Sequence, residues 1–454
     1  MPSVCREVLN FDFEQSNSEG VKSGRLPFRP VQYLGNKLRV LSELTDASES
    51  LIGPDGRVAD LFAGTSVVAQ ALAQRGYTVS AVDAQCYAVT FSNALLGISR
   101  KPKETINTTL LVRASDVLSQ YKDWLALIDC EDKAIRNQDW DELRELYDRL
   151  PLLWRTPENK NYKLICEGAV RTSALGRVPL ITSLYAGQYF GIRQAISLDS
   201  MRHAAHELHS EGTLPPWQYN AVLTAIMSAA SAAVHSAGKH FAQPLSAGSS
   251  PNHEFLRKRL LEDRRVCVFS VFMDACRAID ISATSNDAGH RSEHTTAEEF
   301  VASVTAHYDM YYLDPPYTAQ QYSRFYHILE TLVTYNFPKM VNGASITTGL
   351  YPSERFKSAF SSKKQARQGF RSILQCAKRN GTSVLISYSE SSQSSNGNAR
   401  MITLPALLEE CREHFGCKAV DSSRMRHKYR QFNSAANSNN GRDDSEILIA
   451  CKAR

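Results

Sequence analysis

At 454 residues, with 43% hydrophobic and 22% charged side chains, the chain can bury a large core, and wholesale disorder is excluded; two domains are expected at this length. A formal net charge of +5 and a pI near 8.6 are mildly basic and do not by themselves argue for a nucleic-acid partner. No apolar run reaches the ~18 residues of a membrane span, and ten scattered cysteines without a C-x-x-C pair fit free thiols in a reducing cytosol better than disulfides or a zinc site.

Residues 1–26 read as a flexible polar leader, unlike a signal peptide. The segment Val31-Gln32-Tyr33-Leu34-Gly35-Asn36-Lys37 follows, and strands and helices then alternate. Val58–Phe62 is an apolar strand running into the small-residue turn Ala63-Gly64-Thr65-Ser66, and Val67–Arg75, rich in Ala, Val and Leu, reads as the helix behind it. This is the strand, glycine turn and helix that open a nucleotide-binding doubly wound sheet. Ser66 is expected to complete the turn and cap the helix. The next strand, Tyr77–Val82, ends at Asp83, nineteen residues after Gly64, where a carboxylate can accept hydrogen bonds from both ribose hydroxyls of an adenosine ligand. One glycine, in place of G-x-G-x-x-G, suits a ligand without a pyrophosphate. Leu110–Ala114 reads as a third strand, and Asp116 after it is either the acceptor for an adenine amino group or an ordinary turn aspartate.

After residue 120 the period changes. Tyr121–Leu150 is charged and helical, with Trp124, Leu127, Ile128, Leu143, Leu146 and Leu150 as its apolar stripe. Arg193–His209 and the Ala-rich Tyr219–Gly238 are further helices, separated by Pro215-Pro216. Residues 121–300 therefore read as a mostly helical insertion. His203, His206 and His209 rotate off one helix face with no acid or cysteine cluster beside them, so a helix surface outweighs a metal site, and no metal is expected. Tyr185, Tyr189, Phe190 and Arg193 suit either base stacking beside phosphates or an aromatic core patch. Gly238 reads as a helix stop.

Strands resume at Tyr308–Leu313 and continue at Ser383–Tyr388 and Glu446–Cys451; Ser282–Thr296, Ser389–Asn398 and Asn433–Asp444 read as polar mobile loops. Basic residues gather between Arg355 and Arg379 and between Arg424 and Arg430; a solvated helix face is the plainer account of each, pairing with phosphates the alternative. The first of these strands ends in Asp314-Pro315-Pro316-Tyr317. Asp314 thus stands at the carboxyl edge of a sheet, where open α/β sheets bind ligands. Pro315 and Pro316 stiffen the turn, lack N–H groups and leave their carbonyls free to accept. A carboxylate, a rigid carbonyl and the flat ring of Tyr317 together suit a planar amine such as the exocyclic amine of a base.

Taken in order, Tyr33-Leu34-Gly35-Asn36-Lys37, Asp60-Leu61-Phe62-Ala63-Gly64 and Asp314-Pro315-Pro316-Tyr317 resemble the α-class, Dam-like adenine-N6 DNA methyltransferases over residues 27–120 and 305–454. Tyr322–His327 and Gly238–Pro244 carry a fainter likeness to methylases that partner type IIS restriction enzymes such as FokI. The family's loop usually ends Gly-Thr-Gly, whereas this chain has Gly64-Thr65-Ser66. The resemblance implies a Rossmann-like, doubly wound α/β catalytic domain at 27–120 and 301–454, with 121–300 as a target-recognition domain. It implies S-adenosylmethionine as cofactor, in a site lined by Tyr33, Gly35, Lys37, Asp60, Phe62, Gly64, Asp83 and Asp116. Double-stranded DNA is the implied partner, alongside a cognate endonuclease or defence-system subunit in the cytoplasm.

These residues imply a mechanism. The lone pair of the adenine amine is delocalised into the ring, and Asp314 with the Pro315 carbonyl would accept its two N–H bonds and localise it for attack on the methyl group. A base within a duplex must first be flipped out, with Tyr317 stacking on it. No Pro-Cys nucleophile is present, against methylation at a cytosine ring carbon. Cytosine N4, RNA adenine and a glutamine amide are the rival substrates, and a catalytically silent, cofactor- and DNA-binding subunit of a defence complex is the rival from another class.

Overall fold

The structure, a computed structural model, describes residues 26–97 except Asn36, 104–155, 178–245, 253–282, 289–336, 349–389 except Ser353, 399–429 and 444–453. The expected leader up to residue 25, and the expected loops at 390–398 and 433–443, lie outside them. In chain order the elements begin α1 (Leu41–Ile52), β1 (Arg57–Asp60), α2 (Val67–Gln74), β2 (Thr78–Asp83), α3 (Cys86–Leu95), α4 (Glu104–Leu118), α5 (Lys122–Asn137) and α6 (Trp140–Arg149). Then come α7 (Leu180–Tyr185), α8 (Ile192–Ser210), α9 (Pro216–Ala233), α10 (His253–Arg264), α11 (Val268–Ser282), β3 (Arg291–His294) and α12 (Ala297–Ser303). The chain closes with β4 (Met310–Leu313), α13 (Tyr322–Phe325), α14 (His327–Thr334), α15 (Ala366–Asn380), β5 (Ser383–Ser389), α16 (Leu404–Phe415), β6 (Val420–Tyr429) and β7 (Asp444–Cys451).

Among the described residues seven strands form one mixed sheet in the order β3-β2-β1-β4-β5-β7-β6. The first five are parallel neighbours, and β7 enters antiparallel between β5 and β6. Strands β4 and β5 are buried along their whole length, because helices cover both faces. On one face Ala59, Tyr311, Leu313, Val384 and Ile386 pack with Phe300 of α12, Phe370 and Ile373 of α15 and Leu407 of α16. On the other, the alternate residues Val58, Val79, Met310, Tyr312 and Leu385 pack with Leu44 of α1 and Val68 and Leu72 of α2. Chain order runs outward in opposite directions on the two sides of β1, through β2 and through β4. Asp60 and Asp83 close β1 and β2, and Asp314 follows β4, so three carboxylates come to one edge at the switch in strand order.

The helices between residues 121 and 282 do not stand apart from the sheet's own helices. Ile196 of α8, Ala229 of α9 and Phe272 of α11 share one buried core with Phe91 of α3, Leu110 of α4 and Ile328 of α14. The alanines of α9 (Ala225, Ala229, Ala230 and Ala233, all fully buried) allow its close packing without loss of side-chain entropy.

Three expectations are corrected. Leu110–Ala114 is not a strand but lies within α4: Leu110, Ala114 and Val117 are buried at helical spacing while Val112 is 60% exposed, so the three-residue apolar run was too short to reveal the period. Within the expected loop Ser282–Thr296, residues 291–294 form β3, which returns the chain to the sheet before residue 301. The basic residues Arg424, Arg426, His427 and Lys428 lie on a strand, β6, and not on a helix face, while Arg430 lies outside the described residues. β3 and β6 are the two edges of the sheet, and edge strands carry polar and charged residues that hide the alternation of a strand.

The ambiguous residues of the helical region are structural. Tyr185, Tyr189 and Phe190 are fully buried, and Arg193 pairs with Asp132. His203 meets the Val178 carbonyl and the Tyr335 hydroxyl, and His209 stacks on Tyr219. Among the described residues no helix is long and apolar enough to cross a membrane, and no cluster of His, Cys, Asp and Glu is arranged to hold a metal. In the basic stretch near Arg355–Arg379, Arg367 and Arg371 are committed to the buried Glu410 on α16.

Candidate active site

A cleft of about 300 Å³ opens at the carboxyl ends of β1, β2 and β4. It is lined by Tyr33, Gly35, Lys37, Asp60, Phe62, Gly64, Asp83, Asp314 and Pro316, so nine of the twelve residues singled out in the sequence share one cavity. Pro315 is buried beside it. Tyr317 reaches Asp314 and Lys37 from the adjoining turn. Asp116 is the exception: it is exposed on α4 and does not line the cleft, because the strand expected to deliver it is a helix.

The glycine turn after β1 is held from both sides. Gly64 has φ 50°, and a Cβ there would meet the Tyr33 ring at 3.1–3.2 Å, so glycine is required by conformation and by close approach. Ser66 also adopts a left-handed conformation (φ 60°) at the N-terminus of α2. Its side chain makes no capping bond, contrary to expectation; its hydroxyl lies 2.6 Å from that of Ser92. Ser66 thus holds a glycine-type conformation, at a cost of about 1 kcal/mol offset in part by that hydrogen bond.

Asp83 accepts hydrogen bonds from the Gly64 N–H (3.0 Å) and the Gln85 N–H (2.9 Å), which ties the end of β2 to the glycine turn. Burial pushes its carboxyl up to about 6 against those two bonds. Glu330 of α14 accepts from the Cys86 and Tyr87 N–H groups (3.1 Å each), so the first turn of α3 is fixed as well. Asp60 is the least compensated acid. It is 1% exposed, accepts a long bond from the Phe62 N–H (3.4 Å), and forms no ion pair among the described residues. Burial pushes it up to about 8, with Asp314 and Asp83 adding to the rise. A poorly compensated buried carboxylate facing a cavity is a place for a cationic ligand group.

Lys37 joins the Asp314–Tyr317 turn to β7. Its ammonium lies 3.0 Å from Asp314 and 2.7 Å from Glu446, with both lysine and glutamate nearly fully buried. Burial favours the neutral amine, but the two carboxylates outweigh it and hold Lys37 well above its ordinary range. Asp314 is raised by burial, against the opposing pull of Lys37 and a hydrogen bond from the Tyr317 hydroxyl. The Tyr317 ring meets Tyr388 edge-on at 5.4 Å. Among the described residues no hydrogen bond is formed to the Pro315 carbonyl, which leaves it available as an acceptor.

Sequence reasoning missed Glu446, whose side chain points in from a distant antiparallel strand, and the wall built by Gln321–Ser323 and Phe356–Phe360. The Tyr322–His327 motif has a clear role. Tyr326 stacks on Tyr33 at 4.5 Å between ring centroids, and its hydroxyl accepts from the Leu34 N–H at 2.8 Å. The Tyr322 hydroxyl donates to the Leu34 carbonyl at 3.2 Å. Both tyrosines therefore seat the Tyr33–Lys37 segment over the cleft.

A family model described as D12 class N6 adenine-specific DNA methyltransferase matches residues 33–148 and 276–375. Among curated proteins, the chain is 23% identical to Modification methylase LlaI of Lactococcus lactis subsp. lactis, over 93% of this chain and 55% of that protein. It is 32% identical to Type II methyltransferase M.FokI of Planomicrobium okeanokoites over 25% of this chain and 16% of that protein. It is 22% identical to Modification methylase StsI of Streptococcus sanguinis over 79% and 44%. The chain thus spans about half the length, or less, of these relatives. No solved structure matches it.

Proposed function

We propose that this chain, whose segments 33–148 and 276–375 belong to the D12 class N6 adenine-specific DNA methyltransferase family, transfers a methyl group from S-adenosylmethionine to the N6 amine of an adenine flipped from double-stranded DNA at a specific sequence. The observation that carries this reading is the placement of Asp314 at one cleft with Asp60 and Asp83, beside a Pro315 carbonyl to which no described residue donates. The names of the relatives, each a modification methylase or type II methyltransferase, support a restriction-modification setting with a cognate endonuclease. Methylation of plasmid DNA by the purified chain, followed by sequencing that detects modified bases, tests it. N6-methyladenine at one recurrent sequence is expected; modification of cytosine alone, or none, would defeat it.

The residues fit the cofactor. Asp60 offers a poorly compensated carboxylate to a cationic ligand, Asp83 can accept from ribose hydroxyls through its remaining lone pairs, and Phe62 and Tyr33 supply apolar walls. When bound, the cofactor supplies an electrophilic methyl group on a sulfonium. Asp314 and the Pro315 carbonyl accept the two N–H bonds of the adenine amine, which localises its lone pair. Lys37 and Tyr317 hold the Asp314 carboxylate toward that amine, and the carboxylate can take the proton the nitrogen sheds as its positive charge develops. Catalysis rests on positioning and charge placement, with no covalent intermediate.

Two results are expected from cofactor binding. Asp83→Ala weakens affinity by about 1–3 kcal/mol, the scale of removing a charged hydrogen-bond partner; unchanged calorimetric affinity would take Asp83 out of the site. Asp60 is raised to about 8, so it is largely protonated at pH 7 until a cation arrives beside it. Its folded value exceeds its unfolded one, so it lowers stability as pH rises from about 4 toward 8, and a cationic ligand reverses that cost. Binding at pH 7 should therefore release up to about one proton, read by calorimetry in buffers of different ionisation enthalpy. Asp60→Asn should abolish the release, and a buffer-independent heat in the unsubstituted protein would contradict the assignment.

The helices between residues 121 and 282 are assigned to target recognition, because the cofactor and amine-binding groups lie outside them. Their core is continuous with α3 and α14, so an exchange with a relative must carry the matching buried faces. Such an exchange should move the methylated sequence; an unmoved site would place specificity elsewhere.

A further inference from the structure

Two arginines beside the cleft wall have no part in methyl transfer itself. The Ser323 hydroxyl donates to the Phe356 carbonyl (2.6 Å), and the Gln321 side-chain oxygen accepts from the Ser358 N–H (2.9 Å), which aligns the segment after Tyr317 with the loop after Tyr351. Ser323, Phe356, Lys357 and Ser358 all line the cleft, and the exposure of Phe356 and Lys357 brings this wall out to solvent. Arg324 and Arg355, each adjacent to one of these residues, flank the Tyr351 ring. Their guanidinium carbons lie 6.0 Å and 4.8 Å from its centroid.

Neither guanidinium meets a carboxylate among the described residues. Arg324 donates to the Gln320 side-chain oxygen (3.2 Å) and Arg355 to the Pro352 carbonyl (3.4 Å), while the Nε of each is buried without a hydrogen-bond partner. Arg371 and Arg113, half-buried as they are, are by contrast neutralised, the first by Glu410 and the second by Glu207 and Glu211. The uncompensated charge is felt nearby. Burial lowers His240 to about 4 and His327 to about 3, with Arg324 pushing the first down further and Arg355 the second. A pair of guanidinium forks on an aromatic ring, without counter-anions, has the shape and charge for a phosphate.

Resting on the methyltransferase reading, we infer that Arg324 and Arg355, with Tyr351 between them, form a subsite for a backbone phosphodiester of the duplex beside the flipped nucleotide. A nucleotide whose base occupies the Asp314 cleft keeps its flanking phosphates at the cleft mouth, where this wall meets solvent. The charge of the two forks offsets the cost of drawing that backbone against the protein, and the interaction positions the strand without reading its sequence.

The test compares the unsubstituted chain with R324Q/R355Q and R324K/R355K. Duplex DNA affinity is measured across a salt series, S-adenosylhomocysteine affinity by calorimetry, and methylation by steady-state kinetics. The glutamine variant should lower the slope of log affinity against log salt by about 2, near one for each arginine charge withdrawn from the backbone. Its KM for DNA should rise with kcat little changed and S-adenosylhomocysteine affinity retained, and the lysine variant should keep the slope because it keeps the charges. An unchanged slope in the glutamine variant overturns the subsite. So does a loss of S-adenosylhomocysteine affinity at constant slope, which would give the arginines to the cofactor carboxylate. If the glutamine double variant does not melt cooperatively, R355Q alone is read instead, with a slope change of about 1 expected. An unsubstituted chain that neither binds nor methylates duplex DNA defeats the functional reading itself, and the subsite with it.

Discussion

Asp314→Ala is expected to abolish methyl transfer while leaving the fold and cofactor binding in place. In the proposed mechanism the carboxylate acts on the target amine in the transition state, so its loss should fall on kcat, by ~10²–10³ or more where neighbouring groups act as a unit. The fold should survive because Lys37 keeps its ion pair with Glu446, so no ammonium is left buried alone. Tyr317 supplies a companion test. Its hydroxyl is hydrogen-bonded to Asp314, so Tyr317→Phe, which retains the ring, should still cost about tenfold, the scale of one hydrogen bond to a charged group. A benign Phe variant would mean that stacking alone is the tyrosine's contribution. Asp314 also sets an acid limit: because burial raises its carboxyl, the rate should fall with decreasing pH earlier than for an ordinary carboxylate. Single-turnover methylation of an adenine-containing duplex, with unsubstituted protein and each variant, decides these points. An Asp314→Ala variant that transfers at the unsubstituted rate would show the active site to be elsewhere.

Lys37→Met should be the most damaging change to stability. It leaves Asp314 and the nearly buried Glu446 facing each other without the ammonium between them, and breaking a buried pair in this way costs about 3–5 kcal/mol. Activity should be lost as well, since Asp314 would take up a proton and no longer accept from the amine. Denaturant unfolding reads the first effect. Adding Glu446→Gln to Lys37→Met should restore part of the stability by removing one of the orphaned charges, without restoring transfer. If the single variant unfolds at the same denaturant concentration as the unsubstituted protein, the ion-pair network carries no stability.

The sequence by itself determined the chemistry-bearing groups. Asp60, Gly64, Asp83 and Asp314 each end a strand or occupy the turn after it, and a strand end is a local feature, legible from a short apolar run followed by an acid or a glycine. That those strands are parallel neighbours with β1 at the centre, and hence that the acids share one cleft, was implied by their order but decided by pairing. Tertiary structure alone decided the rest. Glu446 meets Lys37 from 409 positions away in the chain, and nothing near either residue announces the pair. β3 and β6 escaped notice because sheet edges need not be apolar. Leu110–Val112 imitated a strand because three apolar residues in a row fit either period, and only packing against the helical core made them part of α4. Arg355 reads alike with Arg367 and Arg371 in the sequence, and Arg324 falls in the Tyr322–His327 motif. Only the position of Glu410 separates the arginines that are neutralised within the fold from those left with charge to offer a ligand.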